Sequence, residues 1–213
     1  MSYMDIVRHY EKCFEKYGDT NKGVDWPNER DAEIRYRVMT EIIKYAEMRG
    51  DIGNCNNSLL DFGCGLGHLY EYIIRNNIDV IYTGLDLSPI FVDKCNEKFP
   101  NVNFIKLNLL EDSTISDNSF DWVILNGVFT EKRELTYEEM LDYFCKLTEK
   151  VYSVCSRGFA FNVMSKDVDW ERDDLFHLPM STLSDFLTKK LTRDFVIRND
   201  YGLYEYTVYV FKR

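Results

Sequence analysis

In the stretch LLDFGCGLGHL at residues 59–69, Gly63, Gly65 and Gly67 alternate with Cys64 and Leu66 just after Asp61. The chain has only 11 glycines in 213 residues, so three at alternate positions need a reason. Glycine admits backbone angles closed to other residues and lets a ligand approach the main chain. A helix starting behind such a turn offers N–H groups with no partner of their own. The spacing is not that of a dinucleotide fingerprint, GxGxxG, in which the third glycine comes three positions after the second. Here the run is GxGxG with an acid before it, so the turn is not read as a pyrophosphate loop. Elsewhere, Cys13, Cys55, Cys64, Cys95, Cys145 and Cys155 form no CxxC pair, which argues against a zinc ribbon or a thioredoxin motif. No metal site is expected from the sequence.

These residues belong to a chain of ordinary globular balance, 45% hydrophobic and 29% charged, long enough for one sizeable core. The formal net charge of −10 argues against a nucleic-acid backbone as main partner, since that affinity comes from clustered Lys and Arg. A small-molecule substrate is the expectation. The first residues, MSYMDIVRHYEKCFEKYG, are amphipathic and lack the apolar core of a signal peptide. No apolar run approaches the roughly 18 residues of a membrane span. Reduced thiols in a cytoplasmic protein, with no membrane partner, are the corresponding expectation.

Apolar spacing predicts helices over 3–17 and about 29–48, with Pro27 at a helix start and a turn-rich loop, RGDIGNCNNS, after the second. Alternation follows. SLLDFG, VIYTGLD, VNFIKL, FDWVILN and GFAFNVM read as strands, separated by helical HLYEYIIRNN, SPIFVDKCNEKF and TYEEMLDYFCKLTEKVYSVC. A helix near 180–191 precedes two closing strands, DFVIRND and YEYTVYVFK, which are too close in sequence for a right-handed crossover. The prediction is an α/β protein: a doubly wound, mostly parallel seven-stranded sheet with an antiparallel last strand and helices on both faces. Residues 1–50 are read as a helical extension and 51–213 as the sheet domain, within one domain overall.

In such sheets ligands bind beyond the carboxyl ends of the strands, near the first one, and the glycine turn lies there. The turn resembles the first motif of class I S-adenosylmethionine-dependent methyltransferases, members of the Rossmann-like methyltransferase superfamily. Further segments resemble that family's motifs in order, over roughly residues 55–213. YTGLDLSP resembles the second motif, with Asp86 following Gly67 by 19 residues (86 − 67). VNFIKLNLLE resembles the third and NSFDWVILNGVF the fourth.

The resemblance implies that the cofactor is S-adenosylmethionine, with S-adenosylhomocysteine as product. It implies that Asp61, Gly63, Cys64, Gly65 and Gly67 wrap the amino-acid end, with Asp61 near the ammonium group. Asp86 and Leu87 would serve the ribose. Asn108, where many relatives carry Asp, and Leu109 would read the adenine edge. Asn126 and Gly127 would lie beside the methionine portion. Arg35, on the second predicted helix, either reaches the cofactor carboxylate or pairs with a neighbouring acid. In this fold the acceptor pocket is built from the N-terminal extension and the loops after the fourth and fifth strands. Phe129 and Trp170 are candidate walls there, Glu131, Arg133 and Arg172 candidate polar contacts, and His177 the candidate base, unless it is an ordinary loop histidine. Tyr10, Tyr17 and Trp26 either form a lid or pack the first two helices together.

The resulting expectation is methyl transfer to an O or N atom of a small molecule, a metabolite or a sugar or other tailoring intermediate, by a monomer or homodimer. Three alternatives stay open. One is a catalytically silent cofactor-binding partner or sensor subunit. Another is a protein or RNA methyltransferase, although the Asn-Pro-Pro-Tyr form of the fourth motif is absent. The third, a spermidine-synthase-like reaction, lacks that family's additional acids in NGVFTEK.

Overall fold

A computed structural model describes residues 3–26, 28–50 and 56–212. Pro27 and Cys55, and with Cys55 most of the loop before the first strand, lie outside the described residues. The first helix, α1 (Met4–Tyr17), ends at Gly18, whose φ of 63° stops it. After a 3-10 turn at Asn21–Val24, helix α2 (Glu29–Met48) starts at Asn28, whose side chain accepts from the Asp31 N–H.

Strands and helices then alternate as β1 (Ser58–Phe62), α3 (His68–Arg75), β2 (Ile81–Asp86), α4 (Pro89–Lys98), β3 (Asn103–Lys106), β4 (Phe120–Phe129), α5 (Tyr137–Val154) and β5 (Cys155–Ser165). β6 (His177–Leu178), α6 (Met180–Lys190), β7 (Phe195–Arg198) and β8 (Glu205–Phe211) complete the chain. Local chemistry marks the helix starts: Ser88 caps α4 ahead of Pro89, and Thr136 with Glu139 closes a reciprocal capping box on α5.

The sheet order is β3-β2-β1-β4-β5-β8-β7, with β6 pairing on β5. β1 to β5 run parallel, and β8 is antiparallel to both β5 and β7. The doubly wound expectation therefore holds for the seven long strands. The addition is β6, a two-residue strand whose Met164–His177 and Ser165–Leu178 register no periodicity could show. Order reverses between β1 and β4, which puts the ligand crevice at the ends of β1, β2 and β4.

Two apolar layers sandwich the sheet. One gathers α5 and α6 with Ile6 of α1, and the other gathers α2, α3 and α4. Ala32, Met39, Ile42, Ile43 and Ala46 of α2 are buried against this second face, so α2 is a layer helix of the sheet. Phe144 of α5 centres the first layer, fully buried with its ring 4.9–6.1 Å from those of Phe129, Phe161, Phe176 and Phe186. Phe144→Ala should cost about 3–5 kcal/mol, the range for an aromatic truncated in a packed core. The check is a urea titration in which the midpoint falls and the slope stays constant.

Candidate active site

The chain turns sharply out of β1 because Gly63, Gly65 and Gly67 have φ of 74°, 52° and 75°. The turn is tied to the neighbouring strand: the Gly63 and Cys64 N–H groups donate to the Leu85 carbonyl at 2.7 and 3.0 Å. The Gly65 N–H donates to Asp86 Oδ2 at 2.9 Å. The other oxygen of Asp86 accepts from the Ser88 N–H at 2.8 Å. Burial pushes the Asp86 carboxyl up to about 6, against the opposing pull of the Ser88, Gly65 and Leu87 N–H groups. Burial likewise raises Asp61 to about 7, although the Tyr82 hydroxyl donates to it at 2.6 Å.

β4 supplies the third wall. Its pairing with β5 shifts register between Leu125 and Phe129, and Gly127 within that irregularity has φ of 85°. The Gly127 N–H donates to Asn162 Oδ1 at 2.7 Å, and Asn162 Nδ2 donates to Glu205 at 2.9 Å. A Cβ at Gly127 would lie 2.6 Å from the Trp26 ring, so only glycine fits beneath that indole. Asn126, turned out by the same irregularity, has both amide atoms shielded from solvent and without a partner.

These elements enclose a cleft of about 990 Å³ including its open mouth, and its walls are mostly apolar. Asp61, Gly63, Cys64, Gly65, Asp86, Leu87, Asn126 and Gly127 all line it. α1 and the segment after it form the cover, with Tyr3, Tyr10, Val24 and Trp26 facing inward. Of the three aromatic residues read as a lid, Tyr10 and Trp26 are in place, whereas Tyr17 is 42% exposed and points away. Tyr36 and Tyr143 also line the cleft and were not anticipated. Their helical spacing marks them as inward-facing, but nothing in it separates a cleft from a core.

Several expected site residues are placed differently. Gly67 adjoins the cleft as the residue capping α3. Asn108 stands outside the wall, donating to the Tyr3 hydroxyl at 2.7 Å and accepting from the Leu110 N–H at 3.2 Å. Leu109 is a core residue. Arg35 pairs with an acid: its Nε and Nη2 reach the Glu205 carboxylate at 2.9–3.0 Å, and its guanidinium lies 4.9 Å over Trp26.

The loop residues expected at the acceptor are held by one another. Phe129 is fully buried among Tyr143, Phe144 and Phe161. Arg133 bridges Glu131 at 3.0 Å and Asp174 at 3.4 Å. Arg172 is bound to Asp174 as well, and Trp170 is 63% exposed.

His177 is corrected most clearly. It sits in β6, buried, with Nδ1 donating to the Ser165 carbonyl at 2.6 Å and Nε2 accepting from the Arg172 N–H at 3.3 Å. With both ring nitrogens committed to backbone and no place in the cleft wall, it serves the loop as a structural tie. His177→Ala should thus lower stability by about 1–3 kcal/mol for the groups it leaves unpaired. Cofactor affinity should stay the same. A loss of affinity at unchanged unfolding midpoint would contradict this placement.

The cleft's polar groups are those a charged amino acid joined to a nucleoside would need. An unpartnered buried amide, two carboxyl groups and a glycine turn converge in an otherwise apolar crevice, and such orphaned groups point to a missing ligand. Comparison with known proteins agrees. Residues 59–150 match the family described as methyltransferase domain. Rv1506c of Mycobacterium tuberculosis (strain ATCC 25618 / H37Rv), whose own methyltransferase assignment is provisional, is 28% identical over 160 residues, covering 73% of this chain and 93% of that protein. The tRNA (guanine-N(7)-)-methyltransferase of Clostridium botulinum is 24% identical over 47% of this chain and 56% of its own length.

Among solved structures, magnesium protoporphyrin IX methyltransferase from Synechocystis PCC 6803, with bound SAM, superposes with a TM-score of 0.64 at 15% identity, covering 100% of this chain and 98% of that one. A plantazolicin methyltransferase in complex with a pentazolic desmethylPZN analog and SAH gives 0.63 at 15% identity, covering 99% and 98%. These likenesses establish the shared fold, and they extend across the N-terminal helices as well as the sheet. The domain match over residues 59–150 and the motif turn in its place at the crevice thus agree in what this chain is similar to, the S-adenosylmethionine-dependent methyltransferases.

Proposed function

We propose that the protein transfers a methyl group from S-adenosylmethionine to a small molecule, within one domain in which α1 and the segment after it serve as the cover. The observation that carries the site assignment is Asn126, a buried amide with no partner, facing the same crevice as Asp61, Asp86 and the glycine turn. In this reading Asp61 takes the cofactor's ammonium group. Asp86, with two of its lone pairs on backbone N–H groups and others free, takes the ribose hydroxyls. Asn126 holds the amino-acid portion, and Tyr3 stands in front of Asn108 at the adenine end. The cofactor supplies an electrophilic methyl on a sulfonium; the chain's own part is to orient an acceptor and exclude water.

The groups facing the cleft also suggest what kind of acceptor it takes. Burial raises the phenols of Tyr10 and Tyr36 well above their usual range, which keeps them protonated and offers no phenolate as base. His68 Nε2 donates to Asp19 at 2.8 Å, which leaves the buried Nδ1 of this cleft-lining imidazole without a partner. An acceptor arriving with its lone pair ready, such as an amine, a ring nitrogen or a carboxylate, needs no base. The aromatic cover of Tyr10 and Trp26 suits an apolar body. Structural neighbours solved with a desmethylPZN analog or with 1,6-didemethyltoxoflavin bound support a small-molecule acceptor. The related tRNA enzyme offers a second reading, opposed by the net charge of −10. A cytoplasmic monomer or homodimer completes the proposal, and no helix among the described residues is long and apolar enough to cross a membrane.

Calorimetric titration with S-adenosylmethionine, S-adenosylhomocysteine and NAD tests the cofactor site. The first two should bind and the third should not. Asp86→Ala should weaken S-adenosylmethionine by roughly 1.5–3 kcal/mol, the value of hydrogen bonds to a charged group. An unchanged affinity in the folded variant would remove Asp86 from the site. Labelled-methyl transfer to pooled amines, carboxylates and heteroaromatics, with tRNA as a separate arm, then separates the two readings of the acceptor.

The raised carboxyl groups add a pH dependence. Asp61 and Asp86 have folded values of about 7 and about 6 against an ordinary 3.8, so the free protein holds protons on them that the unfolded chain releases. Stability of the free protein should therefore fall as pH rises from about 4 through about 7. Cofactor affinity runs the other way, because ammonium and hydroxyl groups bind the charged carboxylates. Between pH 5.5 and 7.5 the dissociation constant should tighten by at least about tenfold, one unit of pKa. Above about pH 8 the gain should reverse as the cofactor's own α-amino group loses its proton. A flat profile would sink the assignment of these carboxyls.

A further inference from the structure

One group of donors lies outside the methyl-transfer site and takes no part in it. His9 and Cys13 are four residues apart on α1, one turn along the same face. Asp25 comes to them from the far side of the 3-10 turn, held in a left-handed conformation with φ of 55°. His9 Nε2 is 2.8 Å from Asp25 Oδ2 and 3.6 Å from Cys13 Sγ. The three donor atoms all lie within 4.8 Å of one another, the one such cluster among the described residues. Neither His9 nor Asp25 is sealed off: their side chains are 22% and 38% exposed, so an ion can reach them.

Imidazole, thiolate and carboxylate are a donor set suited to zinc. Bonds of about 2.0–2.3 Å at tetrahedral angles place donors roughly 3.3–3.6 Å apart. The His9–Cys13 spacing of 3.6 Å falls in that range, the His9–Asp25 spacing of 2.8 Å is shorter, and Cys13 and Asp25 lie within 4.8 Å of each other, so side-chain rotations bring the three donors to it. Arg133, whose charge acts on Cys13, is already countered by Glu131 and Asp174. From these spacings we infer that His9, Cys13 and Asp25 form a binding site for a divalent transition metal of the zinc type, with three protein ligands and an open fourth position. The bound ion would replace the His9–Asp25 hydrogen bond and the thiol proton. It would pin α1 to the segment carrying Val24 and Trp26, and so fix the cover over the cleft.

The site stands independently of the methyl-transfer reading, since its test is metal binding. Chelator-stripped full chain is titrated with Zn²⁺ against a chromophoric indicator, and separately with Co²⁺ followed by absorbance. One equivalent should bind, and the Co²⁺ form should show thiolate charge-transfer and tetrahedral ligand-field bands. His9→Ala and Asp25→Asn should weaken binding by at least about tenfold, and Cys13→Ser should also abolish the charge-transfer band. Cys145→Ser, on the distant helix α5, should change nothing. Asp25→Asn is a conservative change at a half-exposed position and keeps the test open if another variant misfolds. Zn²⁺ binding by the parent no tighter than by Cys13→Ser, or binding that survives His9→Ala and Asp25→Asn, overturns the site.

Discussion

The crevice depends on burying two carboxyl groups at the ends of adjacent parallel strands. A carboxylate removed from water is costly unless it finds donors, and the cost shows in the raised values of Asp61 and Asp86. The protein offsets part of it locally. Tyr82 donates to Asp61, and the N–H groups of Gly65 and Ser88 donate to Asp86. The same bonds shape the ligand turn, because the N–H of Gly65 meets Asp86 only when the turn doubles back over β2. Local stabilisation and turn geometry are thus one arrangement. What remains unoffset is a preference for a partner carrying positive charge and hydroxyl groups.

A second buried network sets the opposite wall. Arg35, Glu205, Asn162 and the Gly127 N–H form a chain from α2 through β8 and β5 to β4. Glu205 is almost fully buried, so the pair with Arg35 is weak evidence for stability. Its value is positional. The guanidinium also stacks on Trp26, and Trp26 rests on Gly127, so the chain closes into a ring joining the cover to the strand end it covers. Such a ring fixes the irregularity in β4 beside which Asn126 lines the cleft.

The legible part of this molecule was the part written locally. The strand alternation, the glycine turn, Asp86 at its distance from Gly67 and the Ser88-Pro89 helix start each depend on residues within about twenty positions. The acceptor-side residues failed for the opposite reason. Arg133, which also holds Glu131, finds Asp174 some forty residues on, and His177 finds Ser165 and Arg172 through the pairing of β6 with β5. Charged residues in loops after strands read as waiting for substrate until their partners across the fold are known. Arg35 shows the same limit, since the sequence left its partner open and only β8 supplies Glu205. Asn126 lay between these cases: the motif gave its place, but the absence of any partner for its amide is a property of the packed structure.

Because the loop residues are committed to each other, the proposed reaction would leave discrimination among acceptors to the cover. Tyr3, Tyr10, Val24 and Trp26 face the cleft, and most of that surface is apolar or aromatic. Aromatic walls recognise shape and area and reject little on charge, so a cover of this kind distinguishes substrates by size and flatness. α1 is joined to the body largely through side-chain contacts such as Tyr3 on Tyr143 and Phe14 on Phe91. No strand pairing holds it, whereas the sheet beneath is fixed by continuous ladders. The proposed division of labour follows from that difference in cohesion: the laddered floor would carry the cofactor contacts, and the aromatic cover would select what is methylated.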